Sequence, residues 1–246
     1  MEIMSPAVLI ENLSKYLDGK QVLFDINLSI GAGEVFGFLG PNGAGKTTTM
    51  KSILGLIRPD NGAIHIFGDA TLSNETKAKI GFMPENTYLY KYLTGREFLR
   101  FNGKFFHIPD IELDERMEEI LHKIGLETAG DKLLAKYSKG MLQRIGLGQA
   151  IINHPSIVFL DEPMSGLDPI GRKMVKDLIL ELKSKGTTVF FNTHILSDVE
   201  SICDSFAIIH QGHLIASESV KNLEKPLEEY FIEKIHENTE GKLEVR

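Results

Sequence analysis

The sequence has one cysteine, Cys203, so no disulfide can form within the chain, and a reducing compartment suits it. It has no apolar run near the ~18 residues that a bilayer-spanning helix needs. The N-terminal MEIMSPAVLI carries neither a basic stretch nor a long apolar core, which argues against a signal peptide. There is no Lys/Arg run: 27 basic against 34 acidic residues gives a net charge of −7, with an isoelectric point near 5.7. The basic face of a nucleic-acid binder is therefore missing, and no nucleic-acid partner is expected. Internal repeats and low-complexity segments are absent too. The expectation is a soluble, cytoplasmic protein whose membrane role, if it has one, runs through another chain.

What is there is ordinary globular composition. The 246 residues are 42% hydrophobic and 25% charged, enough for one or two domains with a sizeable core. The stretches AVLIENLS, VLFDINLSI and EVFGFLG, within residues 7–39, read as strands. A glycine-rich loop and the helical KTTTMKSILGL follow, then RPDNG as a turn, with AIHIFG and IGFMP as strands. From about residue 94 to 153 the pattern is helical, with Met117, Ile120, Leu121 and Ile124 on one face. SIVFLDEP reads as a strand buried on both faces. The next helix carries Val175, Leu178, Ile179 and Leu182 on one side, and TTVFFNTH and SFAIIHQG are further strands. This alternation predicts an α/β fold with a mainly parallel sheet. The step from Lys46 to Asp161 spans 115 positions, where a βαβ crossover needs only ~30 residues, so a helical subdomain is inserted between them.

The strongest chemical signal is GPNGAGKTT, which matches G-x-x-x-x-G-K-[ST] between a strand and a helix. Gly40, Pro41, Asn42, Gly43, Ala44, Gly45, Lys46, Thr47 and Thr48 make a loop whose backbone N–H groups can turn toward phosphate oxygens. The helix start adds positive potential, Lys46 reaches the β- and γ-phosphates, and Thr47 offers its hydroxyl to Mg²⁺. At the end of the buried strand IVFLDE, Asp161 would hold Mg²⁺ through water. Glu162 would orient or deprotonate the attacking water. Asp168, in SGLDP, stands where a helix N-cap belongs. His194 alone reads as a loop residue, but it ends its own apolar strand as Asp161 does, and ligands of open α/β sheets bind at such ends.

These motifs in this order resemble the ATP-binding subunit of an ABC transporter: GPNGAGKTT (Walker A), GFMPE (Q-loop), YSKGMLQR (signature), IVFLDEP (Walker B), SGLDP (D-loop) and THILSDVE (H-loop). The resemblance runs from about Val8 to Val220. It implies a P-loop NTPase (RecA-like) core, an N-terminal antiparallel β-subdomain and an inserted α-helical subdomain. The cassette would occupy residues 1–225, with the helical subdomain at about 87–153. A charged tail, 226–246, would carry one amphipathic turn at LEEYFIEKI. By the resemblance ATP and Mg²⁺ are bound, Glu162 is the catalytic base, His194 the switch histidine and Asp168 a contact across a dimer interface. The signature would cap ATP held by a second copy, or a paralogue, placed head to tail. Its Ser138 and Gly140 open a helix whose free N–H groups favour an anion. Gly146 and Gly148, in that helix, hint at close packing. Transmembrane permease subunits are the implied partners, which would hold the chain at the inner face of the cell membrane. Residues 87–106 are expected to dock them, because YLYKYL suits an interface core.

The sequence departs from the family pattern in three places. The usual signature is L-S-G-G-Q, and here Tyr137, Lys139 and Met141 replace three of its residues, so Met141 offers no amide. The usual Q-loop glutamine is Glu85, whose carboxylate can still meet Mg²⁺. The aromatic that stacks on adenine falls at Leu17; either Tyr16, one place earlier, takes over, or Leu17 gives apolar contact alone. The variants MPE and SKGM resemble cassettes of ABC-2-type exporters, found in drug, sodium, polysaccharide and copper-linked systems. The rival reading is a soluble ABC ATPase acting on nucleic acid or ribosomes. Such relatives carry two cassettes, a long coiled coil or zinc modules, whereas this chain has one cassette, no long heptad run and one cysteine. A P-loop kinase or GTPase lacks support, since no N-K-x-D motif occurs.

Overall fold

The computed structural model of the chain describes residues 6–86 and 90–240. In chain order its principal elements begin with β1 Val8–Leu17, β2 Lys20–Ile30, β3 Val35–Leu39, α1 Lys46–Ile53, β4 Asn61–Ile66, α2 Asn74–Ala78 and β5 Ile80–Met83. The helical stretch holds α3 Gly95–Lys104, α4 Asp110–Lys123 and α5 Lys139–Ile151. Then come β6 Ile157–Asp161, α6 Pro169–Ser184, β7 Thr188–Thr193, α7 Leu196–Ile202, β8 Ser205–His210, β9 His213–Ser219 and α8 Leu227–Glu240. The chain divides into two compact units, Met1–Thr76 with Phe190–Arg246, and Lys77–Val189.

In the first unit β2, β1 and β4 form an antiparallel sheet in that order, with Val8 opposite both Ile30 and Ile66. Leu17 pairs with Lys20 across Asp18-Gly19, both at positive φ (48° and 76°), the two-residue turn that suits strand twist. Along β2 the buried Leu23, Ile26, Leu28 and Ile30 follow a two-residue period apart from a shift near Leu23, so one face is apolar and the other polar. Parallel pairing of β3 with β8 runs from Phe36 opposite Ser205 to Leu39 opposite Ile208. Every residue of β3 is buried, because both faces are covered. Phe190 lies 5.6 Å from each of the Phe36 and Phe38 rings. A Cβ on Gly37 would sit 2.8 Å from Val199 Cγ2 and 3.0 Å from Cys203 Sγ, so glycine lets α7 approach β3.

The C-terminal stretch differs from the sequence expectation. Where LEEYFIEKI suggests one amphipathic turn, α8 runs for 14 residues. Leu227 is fully buried, its N–H donates to Glu200 Oε1 (2.7 Å), and Tyr230 meets Phe206 edge-on at 6.0 Å. An isolated helix of this length is marginal in water, and these contacts with α7 and β8 hold it.

In the second unit β5 and β6 pair in parallel, Ile80 opposite Ile157 through Met83 opposite Leu160. Helix α5 passes so close to β5 that a Cβ on Gly81 would fall 1.9 Å from the Ala150 carbonyl oxygen. Helix α3 begins with a reciprocal capping box between Thr94 and Glu97. The predicted apolar face of α4 is buried at Met117, Ile120 and Leu121, with Ile124 at its end. Lys123 pairs with Glu119 one turn earlier on α4 (2.7 Å) and ties α4 to α6 through Glu181 (2.6 Å). Burial opposes its charge, but these hydrogen bonds hold its pKa above the ordinary lysine value.

Candidate active site

The loop after β3 is shaped by two glycines in particular. A Cβ on Gly40 would meet the Ile209 carbonyl oxygen at 2.4 Å, and Gly45 sits at φ 116°, a conformation side chains rarely allow. Gly45 is the N-cap of α1 and contributes no side-chain cap; no acidic residue lies in the first turn. Neither the cap residue nor the first turn therefore offsets the positive end of α1 with a side chain. Lys46, buried as the first helical residue, donates to the carbonyls of Gly40 (2.6 Å) and Pro41 (3.3 Å). The Pro41 carbonyl also accepts from Ala44 N–H (3.2 Å), so the lysine and the loop backbone hold one another in place. The loop is braced from below, where Gly212 N–H donates to the Ala44 carbonyl (2.8 Å). Pro41, Asn42 and Gly43 are exposed, while Thr47 and Thr48 are half-buried.

Beside Gly43 lies a groove of about 540 Å³ whose walls include Lys20, Gln21, Phe24 and His213. Phe24 and His213 stack at 4.3 Å, nearly parallel. Tyr16, exposed on β1, donates from its hydroxyl to Gln21 Oε1 (2.9 Å), and so stands next to this wall. Leu17 is exposed as well. His194 is exposed directly after β7, and the neighbouring turn is fixed by Ile195 N–H donating to Thr193 Oγ1 (3.0 Å).

In the second unit Asp161 and Glu162 are both buried at the end of β6. Glu162 has φ 51°, in the left-handed region, and it precedes Pro163. A non-glycine residue there costs about 1–3 kcal/mol and persists only when its surroundings fix it. Two donors do so: the Glu162 carbonyl accepts from Ser165 N–H (3.1 Å) and from Gln143 Nε2 (3.0 Å). Asp168 caps α6, accepting from Gly171 N–H at 2.7 Å. Glu85 is exposed after β5.

The same unit holds the YSKGMLQR stretch against this turn. Ser138 is the N-cap of α5, and its Oγ accepts from Met141 N–H (3.2 Å). A Cβ on Gly140 would meet Leu167 Cδ2 at 3.4 Å, and one on Gly166 would meet Lys139 Cε at 2.9 Å. The two segments therefore pack on each other, Lys139 lying across Gly166. Tyr137 is buried and donates to the Ala129 carbonyl (2.8 Å), and burial raises its hydroxyl pKa, so it stays a neutral donor. Arg144 donates to the carbonyls of Ile124 and Gly125, both at 3.0 Å, closing the end of α4. Gly148 is closely packed: an added Cβ would lie 2.8 Å from Ile120 Cγ2. Tyr137 and Arg144 thus serve the architecture. The sequence reading missed Gln143, whose only signal was an amide on an otherwise apolar helix face.

Among the described residues no cluster of three His, Cys, Asp or Glu side chains forms a metal-ligand set. Thr47, Asp161 and Glu85 carry the hard oxygen donors that magnesium takes alongside phosphate and water. Also among the described residues, no helix is long and apolar enough to cross a membrane.

The ABC transporter family model matches residues 23–165. An ABC transporter ATP-binding protein of Nostoc is 50% identical over 199 residues, 80% of this chain and 59% of its own length. The chain therefore spans less than two thirds of that relative. The bacitracin transport ATP-binding protein BcrA of Bacillus licheniformis is 39% identical over 93% of this chain and 74% of its own. A solved ATP-binding subunit of an ABC transporter superimposes with a TM-score of 0.86 at 31% identity, over 93% of this chain and 99% of that one.

Proposed function

This chain belongs to the ABC transporter family, and we propose that it binds and hydrolyses ATP to drive a separate transmembrane partner. The observation that carries the reading is the loop from Gly40 to Thr48, with its uncapped helix start and its lysine held at the phosphate end. Lys46 and the loop N–H groups grip the β- and γ-phosphates. Glu162 accepts a proton from the attacking water, while His194 contacts the γ-phosphate. Thr47, Asp161 and Glu85 would hold magnesium, which would supply neutralisation of the phosphate charge. Ser138 and Gly140 face the ATP of a second copy in a head-to-tail dimer, and Asp168 lies at that interface. Tyr16 stacks on adenine.

The partner surface is supported by an aromatic patch in the second unit. Tyr90, Tyr92, Phe101 and Phe105 are 46%, 72%, 41% and 66% exposed, where aromatic rings are ordinarily covered. They touch in a chain, Tyr92 to Tyr90 to Phe101 to Phe105, at 5.8, 5.4 and 5.0 Å. A permease covering these rings would keep the chain at the inner face of the membrane. Of the expected docking stretch, Thr87, Tyr88 and Leu89 lie outside the described residues. The likeness to a bacitracin transport protein favours export.

Glu162→Gln tests the chemistry. It keeps the shape and removes the base, so ATP binding persists, phosphate release nearly stops and ATP-bound dimers accumulate. Near-normal phosphate release by the pure variant rejects the base assignment. Tyr90→Glu with Phe101→Glu tests the partner: co-purification with the permease falls and ATP binding does not. An unchanged pull-down moves the interface elsewhere.

A further inference from the structure

We infer that Gln143 is a positioning residue for Glu162. Glu162 holds a left-handed backbone before a proline, so its own preferences pull the peptide toward another conformation. The carbonyl of that residue is held on both lone pairs: Ser165 N–H closes the local turn, and Gln143 Nε2 reaches in from α5. The acceptor is a carbonyl oxygen, so the glutamine must present its NH₂ to it. Both groups are buried, and water is a poor substitute there. Removing the donor frees the peptide to relax, and the carboxylate it carries swings away from the path of its water.

The inference rests on the reading of Glu162 as base, and it adds a consequence. Gln143 stands five residues after Ser138 on one rigid helix, roughly 7.5 Å along its axis. The helix that opens at the signature therefore also sets the base of its own chain.

Gln143→Met keeps length and bulk and loses the donor. The kcat of ATP hydrolysis should fall by about ten- to a hundredfold, the cost of misplacing a reacting group by about 1 Å. KM and the affinity for ATP should change by less than about twofold, and the melting midpoint should fall only by about 2–4 °C, as expected for one lost buried hydrogen bond. In a Glu162→Gln background the same substitution should subtract nothing further, since no base remains to be placed. Should Gln143→Met not fold, Gln143→Asn keeps the amide on an arm too short to reach, and the same selective loss of kcat is expected. An unchanged kcat, or equal losses in ATP affinity and melting that add to Glu162→Gln, overturns the inference. If Glu162→Gln itself hydrolyses normally, the base assignment fails and takes this inference with it. If Glu162→Gln is inactive while Gln143→Met is normal, only the role of Gln143 fails.

Discussion

Helices α1 and α5 open at the two motifs proposed to contact phosphate, and they begin differently. Helix α1 starts from Gly45 at φ 116° with no side-chain cap, and its first residue, Lys46, is folded onto the loop that precedes it. Helix α5 starts from Ser138 in extended geometry, and the serine oxygen already accepts from Met141 N–H. The first takes up none of its N–H groups with a cap side chain. The second satisfies one of its own and still has a hydroxyl proton to donate. A cap satisfies one of the four N–H groups that a helix start leaves open, so α5 needs an anion less than an uncapped start does. This is the division of labour expected if one helix holds ATP permanently in reach and the other closes on it from a second copy.

The comparison breaks first at Lys46. Lys46→Ala should cut phosphate release by about a hundred- to a thousandfold and weaken ATP binding, because it removes a fixed positive donor. Filter binding and phosphate release measure both. Intact ATP affinity would leave α1 with no privileged role.

Ser138→Arg should be equally inactive alone, yet bind ATP as the wild type does. Mixed with Lys46→Ala in equal amounts, it should regain up to roughly a quarter of wild-type activity. Half the dimers are then mixed, each with one of two equivalent sites intact. If YSKGMLQR serves its own loop, every site carries a lesion and nothing returns. Light scattering covers coupling between sites: no activity and no ATP-dependent dimers in the mixture, against robust wild-type dimers, counts against the trans reading.

Ser138→Asp separates cap from phosphate contact. Aspartate caps about as well as serine, so the melting midpoint should stay within about 2 °C. Its charge repels phosphate, so ATP-dependent dimerisation should be lost. Loss of stability with dimerisation intact would reduce Ser138 to a cap.

Gly148→Ala gives the smallest effect. It gains helix propensity of about 1 kcal/mol, and its methyl group crowds Ile120 and Ile124 at a cost of about 1–3 kcal/mol. The melting midpoint should fall by about 2–4 °C with activity retained. A rise would mean that α5 shifts freely against α4.

The order of the motifs, the strand–loop–helix around Gly40 to Thr48 and the buried strand ending in Asp161-Glu162 were legible in the sequence. Each is local: glycines at tight turns, an unbroken apolar run and a lysine at a helix start are set by residues within a few positions of one another. Tertiary structure decided what depends on distant partners. Gln143 reaches Glu162 across 19 positions, Lys123 reaches Glu181 across 58, and Gly81 is required by Ala150 on another element. Helix α8 looked like a charged tail because its own residues do not hold a helix in water; Leu227, Tyr230 and Glu200 do so together. Sequence spacing fixes backbone geometry over a turn or two, whereas a long-range hydrogen bond or a buried contact exists only once the fold has already met the entropy of bringing its ends together.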